Sequence, residues 1–239
     1  MDRLALVNAA ILECGVSGGP LSTALGLTGS LARISFWIDT SWNELQCEHD
    51  DWNWMRSSNI LGTGASFVPA AGAYTATLGT GAGTVGILTD NFGKWDRQTF
   101  RTYTTTVGTN DETFLDDVPF DTWRDSYMLG AMRQVQTRPV AVSIGPNESV
   151  NLGPPSNGLY TITADYWVAP SVMTDDDDVP LGLPLKFHML PVYKAMIKYG
   201  GYESAPEVFT RGTNEYNKMF AQLEALRLPP ISFGAGLGS

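Results

Sequence analysis

Apolar side chains recur at steps of three or four residues across positions 29–55, where Leu31, Ile34, Ile38, Trp42, Leu45, His49 and Trp52 share one phase. At 3.6 residues per turn they fall on a single face, which predicts one long amphipathic helix from Gly29 to Met55. Thr28 or Ser30 would cap it, a hydroxyl accepting from the free N–H groups of the first turn. A thinner apolar line of Phe36, Cys47 and Trp54 lies nearly opposite. A surface helix needs one buried face, so two lines predict cover on two sides, either in the core of a monomer or against another subunit. Phe36, Trp37, Trp42, Cys47 and Trp54 are the candidate core or subunit contacts.

The same period marks three further helices. Asp2 can cap a first one carrying Leu4, Val7, Ile11 and Cys14; Gly15 ends it, and Gly18-Gly19-Pro20 forbids continuation. The short loop that follows predicts an antiparallel helical hairpin. Near the other end Phe187, Leu190, Lys194 and Ile197 resume helical spacing, with Gly200-Gly201 expected to stop it. A last helix starts near Pro206, is expected to bury Phe209, Tyr216, Phe220 and Leu223, and stops before Pro229-Pro230.

Between these ends the period drops to two. Short runs rich in Val, Thr and aromatics occupy 74–78, 84–88, 100–107, 140–144 and 159–168, separated by Gly and Pro. They predict antiparallel β structure, a sandwich or a small barrel. Residues 121–132 fit either a short helix or a connector. The expected fold class is α+β: a helical hairpin over 1–56, an antiparallel β domain over 57–170, C-terminal helices over 171–230 packing with the hairpin in one helical layer, and an extended arm over 231–239.

Charge narrows the function classes. The chain of 239 residues carries a formal net charge of −10, against the basic patches that gripping nucleic acid requires. Standing beside DNA is compatible with it, because an acidic wall discourages sticking. No apolar run approaches the roughly 20 residues of a membrane span, so a soluble protein without a membrane partner is expected. The N-terminal stretch lacks the basic start and cleavage site of a leader and is expected to be a helix. Cys14 and Cys47, two thiols at positions suited to small apolar residues, make neither a disulfide framework nor a zinc site, and a reducing place of synthesis follows.

Motifs of chemistry are few. Gly81-x-Gly83-x-x-Gly86 matches a dinucleotide fingerprint by letter, but the strand-like VGILTD follows instead of a helix, so a hairpin turn is expected. His49 sits on the apolar stripe and is expected to be a hydrogen-bonded core or interface histidine. Together with Glu48, Asp50 and Asp51 it lacks the spacing that aims two ligands from one helical face. The run Asp175–Asp178 has neither the alternation nor the glycine of a calcium loop, and a solvated, self-repelling loop is expected. No nucleophile elbow is present. The reading is of a protein that is not an enzyme and needs neither cofactor nor metal.

Two stretches carry a resemblance. LVNAAILECGVSG, then TGSLARI and FWIDTSWNELQCEHDDWNWMR, resemble the amino-terminal region of tailed-phage head-to-tail adaptor (connector) proteins, and DDDDVPLGLPLKFHMLPVYKAMIKYGGYESAPEV is similar to their entry into a helix pair. The resemblance implies a virion protein, made in the host cytoplasm and placed at the head–tail junction. It implies a ring of this chain, a dodecamer, below the portal, extending the DNA channel without specific DNA binding and docking the next tail or neck protein. It also gives the uncharged C-terminal segment a role, with Leu228, Ile231, Phe233 and Leu237 as candidate portal-binding residues. Glu44, Glu48, Asp50 and Asp51 become candidates to face the channel. The alternative is a β-sandwich module of a tail or baseplate that recognises carbohydrate through exposed Trp95, Trp123 or Trp167.

Overall fold

The computed structural model describes residues 1–58, 64–80, 84–87 and 92–228. The chain divides into two units, Met1–Met55 with Pro170–Ser239, and Arg56–Ala169. The first is helical, made of α1 (Arg3–Cys14), α2 (Gly29–Cys47), α4 (Leu190–Tyr202) and α5 (Pro206–Arg227); α3 (Phe120–Tyr127) belongs to the second.

In α1 the Asp2 carboxylate accepts from the Ala5 N–H at 2.8 Å. Gly15 closes the helix at φ 65°, a left-handed backbone that glycine adopts without Cβ strain. Two more first-turn donors need partners. Arg3 and Leu4 N–H donate to the carbonyls of Asp178 and Asp176 at 2.7 and 3.1 Å, so the four-aspartate run folds onto the start of α1. The loop keeps Asp175 and Asp177 exposed, as expected of a solvated run, and also clamps the start of α1. Asp176 accepts from the Thr23 hydroxyl at 2.5 Å and the Ala24 N–H at 2.8 Å, and Asp178 from the N–H groups of Thr174 and Asp175 at 2.6 and 2.8 Å. These bonds hold both carboxyls below their ordinary range, the Thr23 hydroxyl leading at Asp176 and the Asp175 N–H at Asp178.

The long helix is shorter than its pattern. It ends at Cys47, roughly 28 Å long at about 1.5 Å per residue. The apolar phase continues to Trp52 because the chain turns back: the Trp52 indole N–H donates at 3.2 Å to the Leu45 carbonyl, one of the free acceptors of the last turn. A 3₁₀ turn over Asn53–Met55 follows. Thr28 occupies the N-cap position with extended backbone, yet its hydroxyl makes no capping bond. Ile34, Ile38, Trp42, Leu45 and Trp52 are buried. The thinner line does not stay together. Trp54 turns inward onto Trp42 and Trp52, with ring centroids 5.5 and 5.7 Å away, while Phe36 is 64% exposed and Cys47 is exposed where a packed thiol was expected.

A 3₁₀ turn over Leu185–Phe187 places the buried Phe187 ahead of α4, which tolerates Pro191 in its first turn. Gly200-Gly201 does not end α4. Gly200 instead lets the backbone of Phe209 on α5 come close, and Gly212 on α5 faces Met196 and the Tyr193 carbonyl. α5 lies along α4 by this seam. It fully buries Gly212 and Leu223 alone among its residues, leaving Phe209 43% exposed and Tyr216 and Phe220 half-buried, contrary to expectation.

The second unit holds short strands: β1 (Arg56–Ser57), β2 (Ala65–Phe67), β3 (Thr75–Ala76), β4 (Phe92–Trp95), β5 (Arg101–Thr104), β6 (Thr113–Phe114), β7 (Asp116–Asp117), β8 (Ala141–Ile144), β9 (Val150–Gly153), β10 (Tyr160–Ala164) and β11 (Tyr166–Val168). They form three open sheets, ordered β1-β11-β4, β2-β10-β5-β6 and β3-β9-β8-β7. Among the described residues none closes into a barrel, and every pairing between these strands is antiparallel except β7 with β8. One core joins all three sheets, with Phe67, Trp95, Phe100, Val142, Leu152, Ile162 and Tyr166 among its side chains.

The run 159–168, expected as one strand, is two strands in two sheets. It breaks at the buried Asp165, whose carboxylate accepts from Arg56 and Ser58. Residues 121–132 form most of α3 and part of a 3₁₀ turn over Gly130–Gln134. Of the expected glycine hairpin, Gly79 bridges Ile87 antiparallel; Gly81–Gly83 lie outside the described residues, as does Leu88.

Candidate functional site

α4 packs against the other three helices of the helical unit, and α2 is held on two flanks. On one, the buried Arg3 of α1 donates through Nε and Nη2 to the two carboxylate oxygens of Asp39, each at 2.9 Å, and through Nη2 to Ser35 Oγ at 2.9 Å. The Asp39 bond raises the Arg3 pKa against the opposing effect of burial. On the other flank Trp37 meets Tyr199 and Tyr202 of α4 edge-on at 6.2 and 5.8 Å, and Arg33 lies 3.9 Å over the Tyr202 ring.

Further along the same flank run ion pairs that no local sequence window contains. Lys198 Nζ lies 2.6 Å from Glu44, and Lys194 Nζ lies 2.7 Å from Glu48 and 3.3 Å from Glu44. Burial pushes the Glu44 pKa up, but the two lysines outweigh it and hold the carboxyl below its ordinary value. Two of the four candidate channel-facing acids are thus neutralised by α4. Asp50 is exposed and Asp51 half-buried, and neither is in an ion pair among the described residues.

Where α2 ends, aromatic rings gather. His49 Nε2 is 2.8 Å from Glu224 of α5, and its ring stacks on Phe220 at an interplanar angle of 9° and meets Trp52 edge-on at 4.9 Å. Trp42, Trp52, Trp54, Phe220 and Tyr216 complete the cluster. Two side-chain amides act as stand-ins for backbone. Gln46 accepts from the Ser171 N–H at 2.8 Å and donates to its carbonyl at 2.8 Å; Asn8 does the same for Leu21 at 2.6 and 3.1 Å.

Two stretches of the outward surface of α1 and α2 carry no charge. Phe36, Thr40, Asn43 and Cys47 follow one another by four, three and four residues, so they form one ridge facing away from both flanks of α2. On α1, Asn8, Ala9, Ile11 and Leu12 join Val16, Gly19 and Pro20 to line a groove of about 420 Å³, and Leu12 at its rim is 79% exposed.

Other candidates fall elsewhere. Leu228 is half-buried at the end of α5, its N–H donating to the Glu224 carbonyl at 3.1 Å; Ile231, Phe233 and Leu237 lie outside the described residues. Trp95 and Trp123 are buried, and the Trp95 indole N–H donates to the Glu148 carbonyl at 2.9 Å. Trp167 stands between Arg56 and Lys94, at 5.5 and 4.9 Å from its ring, brought by the strands on either side. The ring faces that stacking on a sugar needs are occupied or inside. No cluster of three or more His, Cys, Asp or Glu that could hold a metal exists among the described residues.

Much of the polar chemistry of the helical unit holds its own helices and loops, and Leu12 and Phe36 stand exposed, as do surface charges such as Asp50, Glu207 and Lys218: this is the build of a structural assembly protein. Residues 31–230 match the family described as SU10 adaptor protein, and the chain belongs to that family. It is accordingly a phage adaptor, a structural component of the virion. No helix among the described residues is long and apolar enough to cross a membrane. No curated protein matches the chain.

Proposed function

We propose that this adaptor assembles with copies of itself into a ring below the portal, lines the path of the DNA and presents a docking surface to the next tail component. The observation that carries the reading is the family match over residues 31–230, most of the chain. The helical unit supports it. A ring subunit needs exposed apolar surface on a rigid support, and Phe36 and Leu12 stand in solvent on helices whose other faces are locked. Acidic side chains left unpaired at Asp50 and Asp51 suit a wall that DNA slides past. In this reading the uncharged segment from Leu228 to Ser239 reaches onto the portal, its apolar side chains gaining by avidity what each lacks alone.

The test is to mix the purified chain with its cognate portal and image the product by negative stain. A ring stacked on the portal is the expected result. Deleting residues 231–239 should leave the subunit folded and abolish stable attachment. Portals that remain bare in the presence of the full chain would sink the reading.

A further inference from the structure

We infer that the groove on α1 and the Phe36 ridge on α2 are the two halves of the seam between neighbouring copies, the phenyl ring of one copy seating in the groove of the next. This rests on the ring reading above. A closed cyclic ring joins unlike patches, so each subunit must carry both a donor surface and an acceptor surface. The helical unit offers one of each. Phe36, at 64% exposure, is its most exposed aromatic ring among the described residues, and the groove of about 420 Å³ has room for it.

Charge selects a second copy as the occupant. Copies of a chain with net charge −10 repel one another on average, so a contact between two surfaces that lack charge avoids setting carboxylate against carboxylate. Asn8, Ala9, Ile11, Leu12, Val16, Gly19 and Pro20 on one side, and Phe36, Thr40, Asn43 and Cys47 on the other, include no ionisable group but the Cys47 thiol. The nearest charges are occupied within the subunit. Glu13 pairs with Arg211 at 2.5 Å, and Arg33 is drawn over the Tyr202 ring. A basic partner would select the free carboxylates instead.

The groove is also built in advance. Asn8 pins the loop that forms its far wall through both bonds to Leu21, so little ordering remains to oppose binding. Leu12 and Phe36 are mostly exposed in their own subunit, so replacing either should leave the fold intact.

In a Cys47→Ser background, the double variant Leu12→Cys/Phe36→Cys is assembled on portals, checked by negative stain and treated with a short bis-maleimide. Cys14 is buried, its thiol pushed up to about 12 by that burial, and does not compete. The expected product on a denaturing gel is a ladder rising one subunit at a time, absent from either single variant. Phe36→Asp should reduce ring occupancy at least tenfold at unchanged melting temperature. Rings without a ladder overturn the inference and leave the ring reading standing. So does a cross-linked dimer from Phe36→Cys alone, which means α2 pairs with itself, or a link from Leu12→Cys to Phe233→Cys, which gives the groove to the C-terminal segment. Wild-type chain that forms no ring on the portal overturns the ring reading and the seam with it.

Discussion

Gly200 of α4 and Phe209 of α5 stand so close that a Cβ on Gly200 would lie 2.7 Å from both the amide nitrogen and the Cβ of Phe209. Backbone cannot yield as a flexible side-chain tip does. Gly200→Ala should therefore destabilise the protein by about 1–3 kcal/mol, overpacking outweighing the gain in helix propensity. Gly201, next in the helix, has open space around its Cβ position. Gly201→Ala should leave stability unchanged or raise it by up to about 1 kcal/mol. Thermal melts of the two variants side by side check the pair; equal effects would mean that α4 and α5 do not meet through Gly200.

Trp42 and Phe36 sit on the same helix, six residues apart, with opposite fates. The Trp42 ring is fully buried against Trp54, and Trp42→Ala should cost about 3–5 kcal/mol. Phe36→Ala should shift stability by less than about 0.5 kcal/mol, as surface changes do. Denaturant titration separates them, and a costly Phe36→Ala would place that ring in the core of its own subunit.

The aspartate clamp predicts the acid response. Asp176 and Asp178 have folded-state pKa values below their unfolded ones. Their contribution is fully present above the unfolded values and is lost as pH falls through the folded ones. The melting temperature should be level above about pH 5 and decline below about pH 4. Asp176→Asn should lower it at neutral pH and flatten the acid decline. A variant with the same pH profile as wild type would show that the bonds to Thr23 and Ala24 contribute nothing.

Those same carboxylates are engaged by Thr23, Ala24, Thr174 and Asp175 rather than turned toward a common centre. Adding millimolar calcium or a chelator should therefore leave the melting curve and assembly on the portal unmoved. A rise in melting temperature with calcium would restore the run as a cation site.

Much of the fold was legible from period alone. The start of α1 at Asp2, its end at Gly15, the Pro206 start of α5 and the β texture of the second unit all follow from local rules. The end of α2 did not, because Trp52 keeps the helical phase while reaching back to Leu45 through a turn; periodicity records which side is buried, not how the chain gets there. The sheet assignment of 159–168 failed for a related reason, since alternation continues across Asp165 while the partner strands change. The ion pairs of Glu44 and Glu48 were not legible, because Lys194 and Lys198 lie about 150 residues beyond them. One signal was available: both pairs are spaced by four, the separation that aligns two helices' charges in register.

The bonds at Leu45 and Gln46 have a consequence for the architecture of the gene product. Leu45 receives Trp52, just before the chain leaves the helical unit, and Gln46 receives Ser171, just after it returns. Departure and re-entry are thus moored at consecutive positions on one helix. Closing a long excursion costs only slightly more than closing a short one, because the entropy grows with the logarithm of length. The entropy of closure therefore sets only a weak limit on the length of the β unit held between these two moorings.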